Sequence, residues 1–508
     1  MDGAKRLKDP IYGYIDIPTS YMNDIIDTAV FQRLRRIIQT SYSPLYSSAV
    51  HNRFVHSLGV YHLGELASSQ LEAEIRVKKI DGITDTVLTR LVEVFRLACL
   101  LHDVGHAPFS HTGEEFYLDA DGDYQALHTH LIQVVGNEGF ERDVPKDASQ
   151  SAAPHEIMSA IVGLTNFKEC FESASEREFF ARCITGYKYE IAVLKNNMVG
   201  LKNCFILLLN SKIIDVDKLD YLIRDAYITG FDTVKIDYRR LLSSLTISFQ
   251  DNHWTLAYYK SAISVLENVV YAHDAERKWI QNHPVVLYEG YILKHIMLSL
   301  NERMCSGDAR LFSFNTLGEK GQKFSNGDTI RLLCDDDIIY LMKNVTYGPL
   351  SKEYFERRNR MHPVWKSEAE YNAYFRTFSQ EGNLSARFEQ FMKETAKYLS
   401  SNTQVWVIND SLLKQVELEV QQITERVSNP ADQAVQIKKK HGILAVLRCL
   451  KDYADEKNIP YNFVVLAMTQ FKSGFGKLDF SDINIVFGYG EKPLVSKFGD
   501  IAASILGK

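Results

Sequence analysis

The chain has 508 residues, 45% of them hydrophobic and 24% charged, the balance of an ordinary globular protein and not of a disordered one. Lys and Arg total 58 against 64 Asp and Glu, a net charge of −6 that excludes wholesale coating of nucleic acid while allowing a local basic pocket for phosphates. Seven cysteines without a C-x-x-C pair argue against a disulfide framework or a cysteine zinc site.

This length predicts two or three domains. The start Met1-Asp2-Gly3-Ala4-Lys5-Arg6 carries no apolar signal region, and no stretch reaches the ~18–20 apolar residues of a membrane span. A soluble cytoplasmic protein with no membrane partner is expected.

In chain order, apolar spacing predicts helices over Asp24–Ile38, Ser57–Leu71, Leu88–His102, Lys212–Ala226 and Lys260–Gln281. Gly105 and Pro108 follow the third of these. Residues 118–153 are polar, acidic and punctuated by Gly and Pro, as in a surface insertion or lid. Leu245–Tyr258 reads as a β-hairpin around Asp251-Asn252. Gly318–Asp328 reads as a turn-rich connector. Beyond about residue 400 a helical block precedes strand-like stretches at Asn462–Thr469 and Asp482–Phe487. The fold class is therefore mainly α, a helical bundle with a small β-hairpin and a C-terminal α/β appendage.

The run Leu100-Leu101-His102-Asp103-Val104-Gly105-His106-Ala107-Pro108-Phe109-Ser110-His111 concentrates the chemistry. A His-Asp doublet supplies one nitrogen and one oxygen ligand, the mixture that Zn, Mn or Fe accepts. An aspartate buried behind Leu-Leu is costly unless a cation pairs with it. His56 and Asp217 lie on other predicted helices, so a bundle is needed to join them to His102 and Asp103. Any one of these histidines is more commonly a satisfied core residue, and Asp217 alone reads equally well as a helix N-terminal charge. As a set of four they point to a metal.

Five strings agree with a known order: Asp9-Pro-Ile-Tyr-Gly-Tyr-Ile, Ile26-Asp-Thr-Ala-Val-Phe-Gln-Arg-Leu-Arg, His51-Asn-Arg-Phe-Val-His-Ser-Leu-Gly-Val, Leu101-His-Asp-Val-Gly-His-Ala-Pro-Phe-Ser-His and Asp215-Val-Asp-Lys-Leu-Asp-Tyr-Leu-Ile-Arg-Asp. Through them the chain resembles the HD-domain superfamily, and within it the deoxynucleoside triphosphate (dNTP) triphosphohydrolases, including members that add a SAM domain, which is not expected here. The resemblance covers roughly residues 5–300. The expected domains are a catalytic core over 1–310, a helical extension over 311–400 and, from the change of pattern near residue 400, an α/β regulatory or interaction module over 401–508.

Carried over by position, the resemblance makes His56, His102, Asp103 and Asp217 the ligands of a divalent transition metal (Mn, Fe or Zn), with Mg accompanying the nucleotide. It implies cleavage between the 5′ oxygen and the α-phosphate, giving a deoxynucleoside and intact triphosphate. His106, His111 and His155 match histidines lining the family's site, with His155 the proton donor and Glu114 standing where an aspartate orients it. Arg53 and Lys218 match phosphate-binding positions, though a lone Lys or Arg is by default a solvated charge. Tyr221 and Asp225 match the residues that read the deoxyribose, and Gln39 one near the base. His128 and His130 have no family counterpart and are expected on the surface.

Lys5, Asp27, Gln32 and Arg35 match positions that hold an activating guanine nucleotide, and Arg240 and Lys260 match part of a neighbouring regulatory site. The resemblance thus implies regulation by GTP or dNTP and a homo-oligomer (a tetramer), and a protein partner or regulator is a further expectation for the C-terminal module. Some bacterial relatives deplete dNTP against phage. The competing readings are an HD phosphohydrolase acting on an alarmone, cyclic nucleotide or monophosphate, and a nucleotide-binding scaffold. Binding of single-stranded nucleic acid is disfavoured by the charge and by the lack of a basic-aromatic tract.

Overall fold

Three polar side chains set the starts of the helices that carry the site. Asn52 accepts from the Val55 amide ahead of the Arg53–Lys78 helix, Thr84 from the Val87 amide ahead of Asp85–Leu101, and Asp215 from the Lys218 amide ahead of Val216–Thr229. The second and third helices both pack on the first, while Pro154–Asn166 and Ala174–Thr185 pack against Asp85–Leu101. Leu58, Leu63, Phe95, Leu101, Ile161, Phe180, Leu219 and Leu222 are among the side chains buried between them. The computed structural model describes residues 3–41, 43–118, 122–190, 196–231, 235–344, 348–375, 395, 405–426, 430–458, 463–465, 483–487 and 494–498.

The protein is mainly α-helical with small sheets, as its sequence predicts. Its contacts divide it into two units: Met1–His273 with Ile296–Thr346 and Lys477–Lys508, and Asp274–His295 with Tyr347–Gly476. In the first unit Ala4–Asp9 and Gly13–Pro18 form an antiparallel hairpin. The expected hairpin pairs Leu245–Gln250 with His253–Tyr259. Its turn residues Asp251 and Asn252 have φ of 47° and 65°, the left-handed pair that a two-residue turn demands. Asn484–Phe487 adds to the His253–Tyr259 strand in parallel, and Leu494–Lys497 pairs beyond it. Asn484 Nδ2 fastens that join by donating to the Leu256 carbonyl at 2.9 Å.

In the second unit the Asp410–Arg426 and Pro430–Glu456 helices pack together, and Val405–Val407 pairs with Phe463–Val465. Trp365, Tyr371, Ile408, Val416, Ile443, Leu447, Leu450 and Tyr453 form its core. Of the described residues beyond 401, Val405–Val407, Asp410–Arg426, Pro430–Glu456 and Phe463–Val465 fall in the second unit, and Asn484–Phe487 and Leu494–Lys497 in the first. Most of the strand-like stretch Asn462–Thr469 lies outside the described residues.

Other expectations need correction. The helix expected over Asp24–Ile38 is broken into Met22–Ile26, Ala29–Gln32 and Arg33–Arg36. Thr28 causes the break, since its hydroxyl donates to the Ile25 carbonyl and accepts from the Phe31 amide, ending one turn and starting the next. The helix expected from Lys212 begins at Val216, because Asp215 caps it there. Within 118–153, Gln125–Val135 and Glu138–Asp143 are helices that bury Leu127, Leu131, Val135 and Phe140. His128 and His130, expected on the surface, are half-buried against Tyr187 and Phe314. Among the described residues no helix is long and apolar enough to cross a membrane.

Candidate metal centre

His56 stands one turn into its helix, His102 caps the end of Asp85–Leu101, Asp103 follows in the turn, and Asp217 is the second residue of Val216–Thr229. The bundle brings the four together. His56 Nε2 lies 3.2 Å from His102 Nε2, 3.0 Å from Asp217 Oδ1 and 3.6 Å from Asp103 Oδ2. His102 Nε2 lies 3.5 Å from Asp103 Oδ1 and 3.6 Å from Asp217 Oδ1.

Hydrogen bonding on the far side of each ring shows what the cluster needs. His56 Nδ1 donates to Asp220 Oδ2 at 2.8 Å, and His102 Nδ1 donates to the Cys99 carbonyl at 2.9 Å. With each Nδ1 carrying its proton, both Nε2 atoms present lone pairs to one another and to two carboxylates. Four acceptors facing inward fit a divalent cation. A proton is the alternative occupant, and burial resists it. The carboxylates of Asp217 and Asp220 nevertheless push His56 up to about 9. Exposure is 32% for the Asp217 side chain against 8% or less for the other three, so the cluster is reached from solvent on the Asp217 side.

Beside this centre His106, His111 and His155 form a second cluster, their ring nitrogens within 4.8 Å of one another. Glu114 organises it by bonding His111 Nδ1 at 3.1 Å and, with its other oxygen, His155 Nδ1. Both bonds leave Nε2 as the atom turned inward. The rings of His106 and His155 are stacked, 14° from parallel, so their in-plane lone pairs run side by side and do not converge as ligands would. The first cluster is therefore the better metal site. Gly105 makes this closeness possible: a Cβ there would lie 2.4 Å from the Met158 carbonyl carbon and the Ser159 amide of the helix that carries His155.

Three of the expected substrate residues, Arg53, Lys218 and Asp225, are already engaged. Arg53 is buried, bonds Asp103 Oδ2 at 2.7 Å and Ser110 Oγ at 2.9 Å, and donates to the Gln39 carbonyl at 3.1 Å. Lys218 binds Asp215 at 2.7 Å and the Ser211 carbonyl at 2.9 Å. Asp225 bonds His51 Nε2 at 2.7 Å, and Gln39 Oε1 is buried with no hydrogen-bond partner among the described residues. Tyr221 is half-buried one turn after Asp217 on the same helix.

Of the expected regulatory residues, Arg35 Nε donates to Gln32 Oε1 at 2.8 Å, and its guanidinium covers the Phe54 ring at 3.5 Å. Asp27 lies close enough to act electrostatically on Arg35. Lys5 is exposed on the N-terminal hairpin, and no hydrogen bond or ion pair among the described residues ties it to the other three. Arg240 donates to the Ser261 carbonyl at 2.8 Å, next to Lys260.

The motif reading missed His51, Asp220, Arg224, Asp9 and Tyr12, which buttress the site. One signal was readable. Asp220 and Arg224 are spaced i,i+4 on the helix that carries Asp217.

Residues 53–164 match the family described as "HD domain", which includes His56, His102 and Asp103. The chain is 32% identical over 245 residues to "Deoxynucleoside triphosphate triphosphohydrolase SAMHD1 homolog" of Dictyostelium discoideum, covering 47% of this chain and 39% of that protein. It is 27% identical over 304 residues to the SAMHD1 enzyme of Bos taurus, 56% of this chain and 46% of the relative. It is 30% identical over 244 residues to "Uncharacterized protein YwfO" of Bacillus subtilis, 48% and 44% of the two chains. Each match thus spans less than half of the relative's own length. A hypothetical protein of known crystal structure from Aquifex aeolicus shares the fold at a TM-score of 0.51 and 22% identity, over 80% of this chain and 85% of its own. The doublet, its partner histidine and the helices that carry them all lie inside the matched region, so residues 53–164 of the chain are an HD domain.

Proposed function

We propose that this chain is a metal-dependent phosphohydrolase that cleaves dNTPs into a deoxynucleoside and inorganic triphosphate. The observation that carries the reading is the pairing of four inward-facing acceptors with a separate, protonatable histidine, His155. Similarity to proteins named as dNTP triphosphohydrolases supports the substrate class.

His56, His102, Asp103 and Asp217 would hold the metal, with Mn, Fe and Zn all compatible with two imidazoles and two carboxylates. When bound, such an ion polarises a phosphoryl oxygen and lowers the pKa of a bound water. The chain's own residues supply the rest. Glu114 holds the Nδ1–H of the His155 imidazolium, so that Nε2–H is the proton left to pass to the leaving 5′ oxygen. Arg53 neutralises Asp103 and, with Lys218, places positive charge beside the centre for the triphosphate and its Mg. Tyr221 would pack on the sugar. Asp225 would accept from the 3′-hydroxyl through Oδ2, since Oδ1 is taken by His51.

Nucleotide regulation through Lys5, Asp27, Gln32, Arg35, Arg240 and Lys260, assembly into a tetramer, a partner on the C-terminal residues, a cytoplasmic site of action and a role against phage all belong to the same proposal. Their support is the match in residue type. The test is hydrolysis of each dNTP and NTP with Mn, Mg or Fe, with and without GTP, followed by chromatography of products. Deoxynucleoside plus triphosphate is expected. Monophosphate plus pyrophosphate would rule out the proposed bond and favour another HD phosphohydrolase reaction.

A further inference from the structure

Behind His56, on the side away from the other ligands, runs a buried chain of charges that ends in the N-terminal hairpin. Asp220, fully buried, accepts from His56 Nδ1 with Oδ2. Arg224 grips the same carboxylate with two nitrogens, Nε to Oδ2 at 2.8 Å and Nη2 to Oδ1 at 3.0 Å. The Tyr12 hydroxyl donates to Oδ1 at 2.7 Å. The third guanidinium nitrogen, Nη1, reaches Asp9 Oδ2 at 3.0 Å. With its other oxygen Asp9 accepts from the amides of Ile11 and Tyr12 at 2.8 and 3.0 Å, so it also shapes the hairpin turn.

This arrangement depends on helix contact at a single glycine. A Cβ on Gly59, one turn after His56, would lie 1.9 Å from Asp220 Oδ1 and 2.5 Å from Arg224 Nη2. Any side chain there would expel the carboxylate from behind the imidazole.

We infer that Asp220 is the positioning residue of the metal centre and that Asp9, through Arg224, is its outer support, so that the N-terminal hairpin sets the metal affinity of His56. Asp220 fixes the ring and its tautomer, keeping the proton on Nδ1 and the lone pair on Nε2. Arg224 and Tyr12 saturate the carboxylate's remaining lone pairs, which leaves it one orientation. Asp9 holds Arg224 in register with the hairpin. The inference rests on His56 being a metal ligand, as proposed above.

The test is Mn titration of the full-length protein, read as dissociation constant by calorimetry, alongside thermal melts of each variant. Asp220→Asn is expected to weaken Mn binding by about 10–100-fold, because the amide group can turn toward Nδ1 and reverse the tautomer. Asp9→Asn, which disturbs neither a ligand nor its direct partner, is expected to weaken binding in the same direction and keeps the test decisive should Asp220→Asn fail to fold. Folded Asp9→Asn protein that binds Mn like the wild type, with or without a lower Tm, overturns the inference, since a merely structural role moves stability alone. His56→Ala separates the two levels: if it too binds Mn like the wild type, the metal-ligand reading itself falls.

Discussion

The imidazole of His155 lies stacked on that of His106, ring centres 4.2 Å apart, yet the two are driven in opposite directions. Burial, with Arg53 and His155 close by, holds His106 well below the usual histidine range, and both its ring nitrogens lack a hydrogen-bond partner among the described residues. Burial works against charge on His155 as well, but the Glu114 carboxylate outweighs it and pushes that ring up to about 9. At neutral pH the stack is one neutral ring and one imidazolium, the division of labour that proton transfer needs.

A pH profile follows from that division. Donation by His155 requires its protonated form, so kcat is expected to persist through neutrality and fall as pH passes about 9. Glu114→Gln removes the charge that opposes burial, and the falling limb should move to lower pH. His155→Ala should lower kcat by about 10²–10⁴-fold. An unmoved limb in Glu114→Gln would mean that some other group is the donor. The same raised pKa contributes stability in full below the ordinary value of 6.5, and that contribution is lost as pH rises through about 9. Denaturant melts across this window measure it.

Metal removal has its own signature. An ion that binds only the folded protein stabilises it by about 2.7 kcal/mol at a free concentration about 100 times Kd. Melts in Mn against melts in chelator should differ by a few degrees in the wild type. His102→Ala, which takes one lone pair from the facing acceptors, should abolish most of that difference while leaving the chelator Tm close to its starting value. A full Mn shift in His102→Ala would place the ion elsewhere.

Much of this site could be read from the chain, and the reasons differ from residue to residue. His102, Asp103, His56 and Asp217 were legible because metal chemistry restricts ligand types and because neighbouring strings fix their order. The Asp251-Asn252 turn was legible because few residues tolerate two successive positive φ values. Asp220 and Arg224 show no more in the sequence than an i,i+4 spacing, and only the close approach of two helices at Gly59 turns them into a buried clamp. The break at Thr28 was hidden because flanking apolar residues keep helical spacing across it, while the deciding hydroxyl bonds are local backbone events. Asn484–Phe487 joins a strand more than 200 residues earlier, a pairing to which no local pattern points.

Gly105 provides a steric test of how His155 is placed. An alanine there would drive its Cβ to 2.4 Å from backbone atoms of Met158 and Ser159, which cannot rotate away as a side chain would. The Pro154–Asn166 helix must then shift, and overpacking of this kind costs about 1–3 kcal/mol. Because His155 rides on that helix, Gly105→Ala is expected to lower kcat more than it raises KM, with Mn affinity nearly unchanged. A loss of Mn affinity equal to the loss of kcat would instead show that the His102-Asp103 turn itself had moved.

Asp335 offers the last test, on the segment between His106 and His111. Phe109 and Ser110 both sit at positive φ, 56° and 54°, a backbone strain that persists only where surrounding contacts enforce it. Asp335 supplies those contacts, accepting from the Phe109 amide at 2.7 Å with Oδ1 and from the Ile38 amide at 2.8 Å with Oδ2. The pinned Ser110 in turn accepts from Arg53 Nε and donates to the Ile38 carbonyl. Burial pushes the Asp335 carboxyl up to about 7 despite those two amides. Its protonated form is therefore favoured by folding, and the linked stability is present below about pH 4 and lost as pH rises through about 7. Asp335→Asn can satisfy only one of the two amides and turns an NH2 group toward the other. The expected cost is about 1–3 kcal/mol, together with a fall in kcat as His111 and Arg53 lose their fixed placement. A variant with wild-type Tm and turnover would mean that the strained turn holds without this carboxylate.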